Sequence, residues 1–301
     1  MTTIFEGPPA VRAASRPDYP EQRRVRAIAR RVGGAPGVVG LLLLLVLVLL
    51  ALGAPVVATH PPVAVNPLAV LQSPHGGALF GTDELGRDVF SRVIYGLRTS
   101  LAVAFGSVAL AVLVGLPVGL LAGYIGGAVD MVLMRSVDLL LAFPALLLAI
   151  VIVAILGAGE AVTILAVGII FVPIIARVVR SAVLVVRGHS YVKGARARGA
   201  SHLRIMATHV VPNILPPAVV QASVLTGFAM LIEASLAFLG LGVQPPTPDL
   251  GSMLAEGGGY ATQAPWIELA AGAFLALAIL AFNLTGRGLQ RGLGVRDEVI
   301  Q

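Results

Sequence analysis

Six apolar stretches, each near the length of a membrane crossing, constrain this chain more than any other feature of it. They are Val38–Val57, Leu101–Tyr124, Val137–Leu156, Ala161–Val179, Pro217–Gly240 and Trp266–Leu284. A helix needs about 20 consecutive apolar residues to cross the hydrocarbon core. Only helices and closed barrels satisfy their backbone polar groups there. The expected fold is therefore an all-α membrane protein with six transmembrane helices. The fourth run is interrupted by Pro173 and closed by Arg177 and Arg180, whereas Pro117 and Pro144 lie inside the second and third. Such prolines are tolerated in a bundle whose neighbours satisfy the freed carbonyls. With 57% hydrophobic and 12% charged residues, the 301-residue chain has too little polar surface for a soluble domain of its size.

The arginines set the expected orientation. Arg12, Arg16, Arg23, Arg24, Arg26, Arg30 and Arg31 precede the first run. Arg177, Arg180, Arg187, Lys193, Arg196, Arg198 and Arg204 lie between the fourth and fifth with no acid among them, and Arg287, Arg291 and Arg296 follow the sixth. Cytoplasmic loops carry the excess of basic residues, so both termini and the loop between spans 4 and 5 are expected in the cytoplasm. The loop between spans 1 and 2 falls outside, its Arg87, Arg92 and Arg98 balanced by Asp83, Glu84 and Asp88. The first run is about twice the length of a signal-peptide core and reads as an anchor. Residues 1–35, rich in Pro, Arg and small residues without apolar periodicity, read as a mobile tail that sets topology. A pI near 10.5 can mean nucleic-acid binding, but basic blocks separated by long apolar runs fit membrane orientation instead.

Several chemistries are missing. With no cysteine there is neither a disulfide nor a thiolate metal site. The only lysine, Lys193, follows Val192, so there is no phosphate-binding loop of the G-x-x-x-x-G-K-[ST] type. Metalloprotease, nucleophile-elbow and EF-hand signatures are absent too, and the chain reads as non-catalytic. His60, His75, His189, His202 and His209 all fall in loops or loop helices; the first two are outside and too isolated to argue for a metal.

Between spans 4 and 5 the sequence from Tyr191 to Met206, ending at Pro212-Asn213, predicts a helix, a turn and a second short helix. Gly199 suits a left-handed C-terminal cap, Ser201 an N-cap, and Pro212 is expected to stop the second helix. Gly194, Ala195 and Ala197 keep the first helix slim enough to lie in a partner's groove. A basic hairpin resting on anionic lipid is the competing reading.

This loop resembles the EAA loop of binding-protein-dependent ABC importer permeases, whose coupling helix docks into an ATPase subunit. Lys193-Gly194-Ala195 stand at the Glu-Ala-Ala positions, Gly199 at the motif's glycine and Pro212-Asn213 at its end. Two of the three name-giving residues differ, and Glu to Lys reverses a charge. The run Gly81-Thr82-Asp83-Glu84-Leu85-Gly86-Arg87-Asp88, with Ser91-Arg92 and Gly96-Leu97-Arg98, resembles the dipeptide, oligopeptide and nickel branch. So do Asp138–Leu148, Glu233–Gly242 with Gln244-Pro245-Pro246, and Phe282-Asn283-Leu284 with Gly286 and Gly288, although Arg287 stands where Asp is usual. The resemblance covers about residues 36–298 and is to the C-type subunit. It implies a B-type permease partner, one or two ABC ATPase subunits that bind ATP and Mg, and an extracytoplasmic solute-binding protein. It implies no cofactor on this chain, and a multi-pass place in the bacterial inner membrane. By the same resemblance Tyr191, Lys193, Gly194, Ala195, Arg198, Gly199 and Leu203 are candidate ATPase-coupling residues.

Ionisable residues inside spans face protein or water. Asp138, three residues after Arg135, reads as a local ion pair; Glu233 reads as either a backbone-bonded acid near the end of span 5 or a gating residue. Gln221, Ser223 and Thr226 make span 5 the most polar and, with Glu233, are candidates for the translocation path. Asp83, Arg87 and Asp88 read as a pairing that fixes the entry into span 2, or as a surface receiving the binding protein. Gly115, Gly119 and Gly123 form a doubled G-x-x-x-G, suited equally to internal packing and to a subunit interface. The function this implies is the permease subunit of an ATP-driven importer of short peptides. Alternatives are a nickel or other small-solute permease of the same branch, and a stand-alone secondary transporter, which predicts an internal repeat that is not visible.

Overall fold

The computed structural model describes residues 34–294. The expected tail, residues 1–35, lies outside them except for Gly34 and Ala35, as does Arg296. Helices follow in the order α1 (Ala35–Leu52), α2 (Ala54–Val57), a 3-10 turn (Pro67–Ala69), α3 (Val89–Ile125), α4 (Gly127–Leu141) and α5 (Ala145–Leu156). Then come α6 (Glu160–Gly188), α7 (Ser190–Ala197), α8 (His202–Ile205), a π-helical turn (Met206–Val210), α9 (Val211–Phe238), α10 (Leu250–Gly258) and α11 (Pro265–Gly292). No β-strand occurs among the described residues.

α1, α3, α6, α11 and the stack from α8 through α9 are each long and apolar enough to cross a membrane. Their outward faces are apolar: Leu49, Leu113 and Leu269 are 60%, 73% and 69% exposed. A protein in water would not leave such side chains uncovered along whole helices, but lipid accommodates them.

The third apolar run is not a straight helix. It breaks at Ala142–Pro144, and α4 and α5 meet there at 88°. The proline ring disfavours helical geometry at Phe143 and removes a donor from the ladder. Pro117 and Pro173, by contrast, sit inside the continuous α3 and α6. The difference is support. α3 and α6 pack along their length, whereas α4 buries only Val137 and α5 only Ala149 and Val153.

The α3–α6 contact explains the glycine stripe. A Cβ on Gly115 would stand 2.8 Å from the Val172 carbonyl, one on Gly119 2.3 Å from that of Ala176, and one on Gly123 2.8 Å from Val183 Cβ. Small residues let two helices come this close, so the doubled G-x-x-x-G packs within the chain.

α3 is longer than the apolar run it contains. Asp88 caps it, its carboxylate accepting from the Ser91 amide at 3.0 Å, so the helix starts at Val89 instead of Leu101. Its 37 residues span about 55 Å at 1.5 Å per residue, well past a hydrocarbon core of about 30 Å. It thus joins the two ends of the bundle, the 58–88 loop at one and the 189–206 loop at the other.

Candidate functional site

The 189–206 loop holds the shape expected of it in its first half. α7 ends in a paired left-handed cap: Gly199 has φ +78°, its amide donates to the Arg196 carbonyl at 3.0 Å, and the Ala200 amide to that of Ala195 at 3.2 Å. The Ser201 hydroxyl then accepts from the Arg204 amide at 3.4 Å, starting α8. Pro212 does not stop the second helix. It lies at the start of α9. The π turn at Met206–Val210 carries the chain from α8 straight into the span.

Val192, Ala195 and Ile205 turn inward, at 2%, 3% and 1% exposure. Tyr191, Lys193, Arg198, Gly199 and Leu203 are exposed and Gly194 is half-buried. Of the seven candidate coupling residues, only Ala195 is therefore turned into the protein. Leu203, an apolar side chain 76% exposed at the loop tip, sits among basic groups. Beside it Arg198, Arg204 and His209 line an open depression of about 450 Å³. Tyr191 is held between His189, stacked at 5.4 Å, and His209, edge-on at 6.1 Å.

At the other end Asp83 is fully buried. Its Oδ1 accepts from the Leu85 and Arg87 amides, and its Oδ2 from Arg87 Nε at 2.6 Å. Arg87 Nη2 also donates to Glu84 at 2.6 Å and to Glu256 at 3.3 Å, and Arg92 Nη2 to Glu256 at 2.7 Å. The cluster thus clamps the 58–88 loop and the start of α3 to α10. Burial holds the Glu256 carboxyl above its ordinary value, with Arg92 and then Arg87 working against the shift. Asp83, Glu84 and Glu256 bring three carboxylates together, but two guanidinium groups already occupy their charge. Asp88 stands apart from this pairing as the α3 cap, also accepting from Ser91 Oγ and Thr59 Oγ1 at 2.6 and 2.7 Å. Arg92 and Glu256 carry no sequence signal of their partnership, since they lie 164 residues apart.

The four residues singled out in span 5 fall on α9. Gln221 and Thr226 are buried in the chain's own packing, at 8% and 3% exposure, and Thr226 Oγ1 bonds back to the Ala222 carbonyl. Ser223 is half-buried. Glu233 is fully buried, and neither of its carboxylate oxygens has a hydrogen-bond partner among the described residues. Ser100 Oγ donates to Asp249 at 3.0 Å. Asp138 pairs with Arg177 on α6, not with Arg135 three residues before it. Turned toward α6, it meets a guanidinium from a neighbouring helix. Arg180 makes a second bridge of this kind, its Nε and Nη2 donating to the two Asp130 carboxylate oxygens at 2.6 Å each.

Residues 115–296 match the family described as binding-protein-dependent transport system inner membrane component. The chain belongs to this family. It is similar to the dipeptide transport system permease protein DppC of Alkalihalophilus pseudofirmus, at 42% identity over 256 residues, covering 85% of this chain and 84% of that protein. It is also 42% identical over 260 residues to the di/tripeptide transport system permease protein DppC of Pseudomonas aeruginosa, covering 84% and 86% of the two chains. In fold it resembles a chain of the inward-facing MetNI methionine ABC transporter, with a TM-score of 0.55 at 22% identity, covering 68% of this chain and 96% of that one. This permease is thus a multi-pass protein of the bacterial inner membrane, built on the fold of ABC transporter membrane subunits.

Proposed function

We propose that this permease is one of two different membrane subunits of an ATP-driven importer of short peptides. In this reading both termini and the 189–206 loop are cytoplasmic, and α7 with α8 docks into an ATPase subunit. One or two such subunits bind ATP and Mg; the chain itself binds no cofactor and catalyses nothing. A solute-binding protein delivers peptide at the opposite end, where Asp83, Arg87 and Asp88 hold the receiving loop in shape. The observation that carries the reading is the loop: a short helix with a rigid left-handed cap presents Tyr191, Lys193, Arg198 and Leu203 outward while Val192, Ala195 and Ile205 anchor it. Names of relatives 42% identical over most of the chain supply the substrate class.

The bent α4–α5 pair supports the second membrane subunit, a B-type permease. Irregular backbone at membrane depth is tolerated only where protein or water covers it. The break at Ala142–Pro144 lies on a face that this chain barely covers, with Phe143 61% exposed. A partner subunit would cover that face, and lipid the remaining apolar surface, so the peptide path runs along α4–α5 and the adjoining Arg177–Asp138 pair. Co-expression of this chain with neighbouring permease, ATPase and binding-protein genes tests the reading. Purified complex in proteoliposomes should accumulate dipeptide only with ATP and the binding protein. Uptake of nickel instead of peptide would reassign the substrate, and peptide uptake by this chain alone on a proton gradient would make it a secondary transporter.

A further inference from the structure

The docking loop is tied to the rest of the bundle at a side chain outside it. Tyr124 is the penultimate residue of α3 and only 4% exposed. Its Oη lies 3.1 Å from Nδ1 of His202, the first residue of α8, and the two rings meet edge to face at 5.8 Å. The guanidinium of Arg196, on α7, sits over the same ring at 6.0 Å. Arg187, in the last turn of α6, donates from Nη1 to the carbonyls of Gly123 and Tyr124 at 3.0 and 3.1 Å. It thereby satisfies the free end of α3 with a cation where the helix dipole favours one. Both loop helices therefore touch one residue, whose backbone is fixed to α6.

We propose that Tyr124 and His202 form the joint that passes movement of the docking loop to α3. Tyr124 acts as a positioning residue and His202 is the loop's half of the contact. Among the described residues, the hydrogen bonds and ring contacts from α7 and α8 to α3 all converge on Tyr124. Beyond it α3 is stiff, because the Gly115, Gly119 and Gly123 stripe locks it to α6 at backbone contact. A displacement at Tyr124 is therefore carried by α3 and α6 together toward Arg92 and the Asp83–Arg87 cluster. A loop lacking this joint would still present its outer face to a partner, while its movement would be taken up by the π turn and the Gly199 cap. Coupling should then be lost without loss of docking.

This inference rests on the docking reading, and the test separates the two. Tyr124→Phe removes only the hydroxyl and keeps the ring under Arg196; His202→Ala removes the other half; His202→Asn restores an acceptor near the Nδ1 position. Each variant complex is purified, the ATPase retained per permease is measured, and ATP hydrolysed per dipeptide imported is determined in proteoliposomes. Tyr124→Phe and His202→Ala should retain the ATPase fully and raise ATP used per peptide several-fold. The double variant should be no worse than either alone, as for two residues acting through one contact, and His202→Asn should recover most of the coupling. Unchanged ATP per peptide in both single variants, additive effects in the double, or loss of the ATPase from the complex would each overturn the joint. Full retention of the ATPase by Gly199→Val would instead overturn the docking reading.

Discussion

Gly199→Val isolates the geometry of the docking loop from everything else in the bundle. Gly199 has φ +78°, and a Cβ built there meets nothing within 4 Å. The substitution therefore introduces no clash, and its cost is confined to the backbone. A non-glycine residue in the left-handed region costs about 1–2 kcal/mol, and a β-branched one is at the upper end. The two cap bonds from Gly199 and Ala200 compete with that strain. A loss of about 1–2 kcal/mol is about 5- to 30-fold in the ratio of docking-competent to rearranged loop, while the spans, some of them 28 residues or longer, are untouched. Membrane levels should stay at wild type. ATPase co-purified per permease, and ATP-driven dipeptide uptake, should fall by up to that factor. Gly199→Asn is the control, because Asn visits the left-handed region more readily, and it should fall between glycine and valine. A valine variant that assembles and transports normally refutes the coupling role of the loop. An asparagine variant as damaged as valine refutes strain as the cause.

Gly119→Val should lower membrane level and complex yield, because its Cβ would lie 2.3 Å from the Ala176 carbonyl and 2.8 Å from Val179 Cβ. Forcing α3 off α6 costs about 1–3 kcal/mol, and wild-type yield would remove the stripe's packing role. Ser190→Cys should be shielded from impermeant thiol reagent in intact cells while Thr247→Cys reacts; the opposite pattern inverts the proposed orientation. Glu256, raised above its ordinary 4.5 by burial, favours the folded state in its protonated form. That contribution is present below the ordinary value and lost as pH rises through the raised one. Thermal melting of the purified complex should thus lose more stability than Glu256→Gln over the mildly acidic range, and parallel curves would contradict this.

Much of the fold was legible because lipid leaves so few options for backbone polar groups. The five straight crossings, and the cap at Gly199 with Ser201 after it, follow from local residues alone. Pro144 was not legible as a break, because Pro117 and Pro173 look alike in sequence. What separates them is the packing of α3 on α6, a contact between residues far apart in the chain. Pro212 misled for the opposite reason: a proline that ends one helix also suits the first turn of another, and only the π turn before it joins the two. At the site, the Asp83–Arg87 pair, four residues apart, was readable as local spacing. Glu256 with Arg92 and Tyr124 with His202 were not, being 164 and 78 residues apart. Gln221 and Thr226 stand out in sequence by polarity alone, and their burial depends on how α9 packs against its neighbours.

The central claim is that this permease works only as part of an ATP-driven peptide importer. Its most direct test is accumulation of labelled dipeptide by proteoliposomes holding the complete complex, with the binding protein outside and ATP with Mg on the ATPase side. The account predicts accumulation above the external concentration that needs hydrolysable ATP, survives collapse of the proton gradient and is lost when the ATPase is left out. Accumulation that persists without the ATPase and stops when the gradient is collapsed would contradict it.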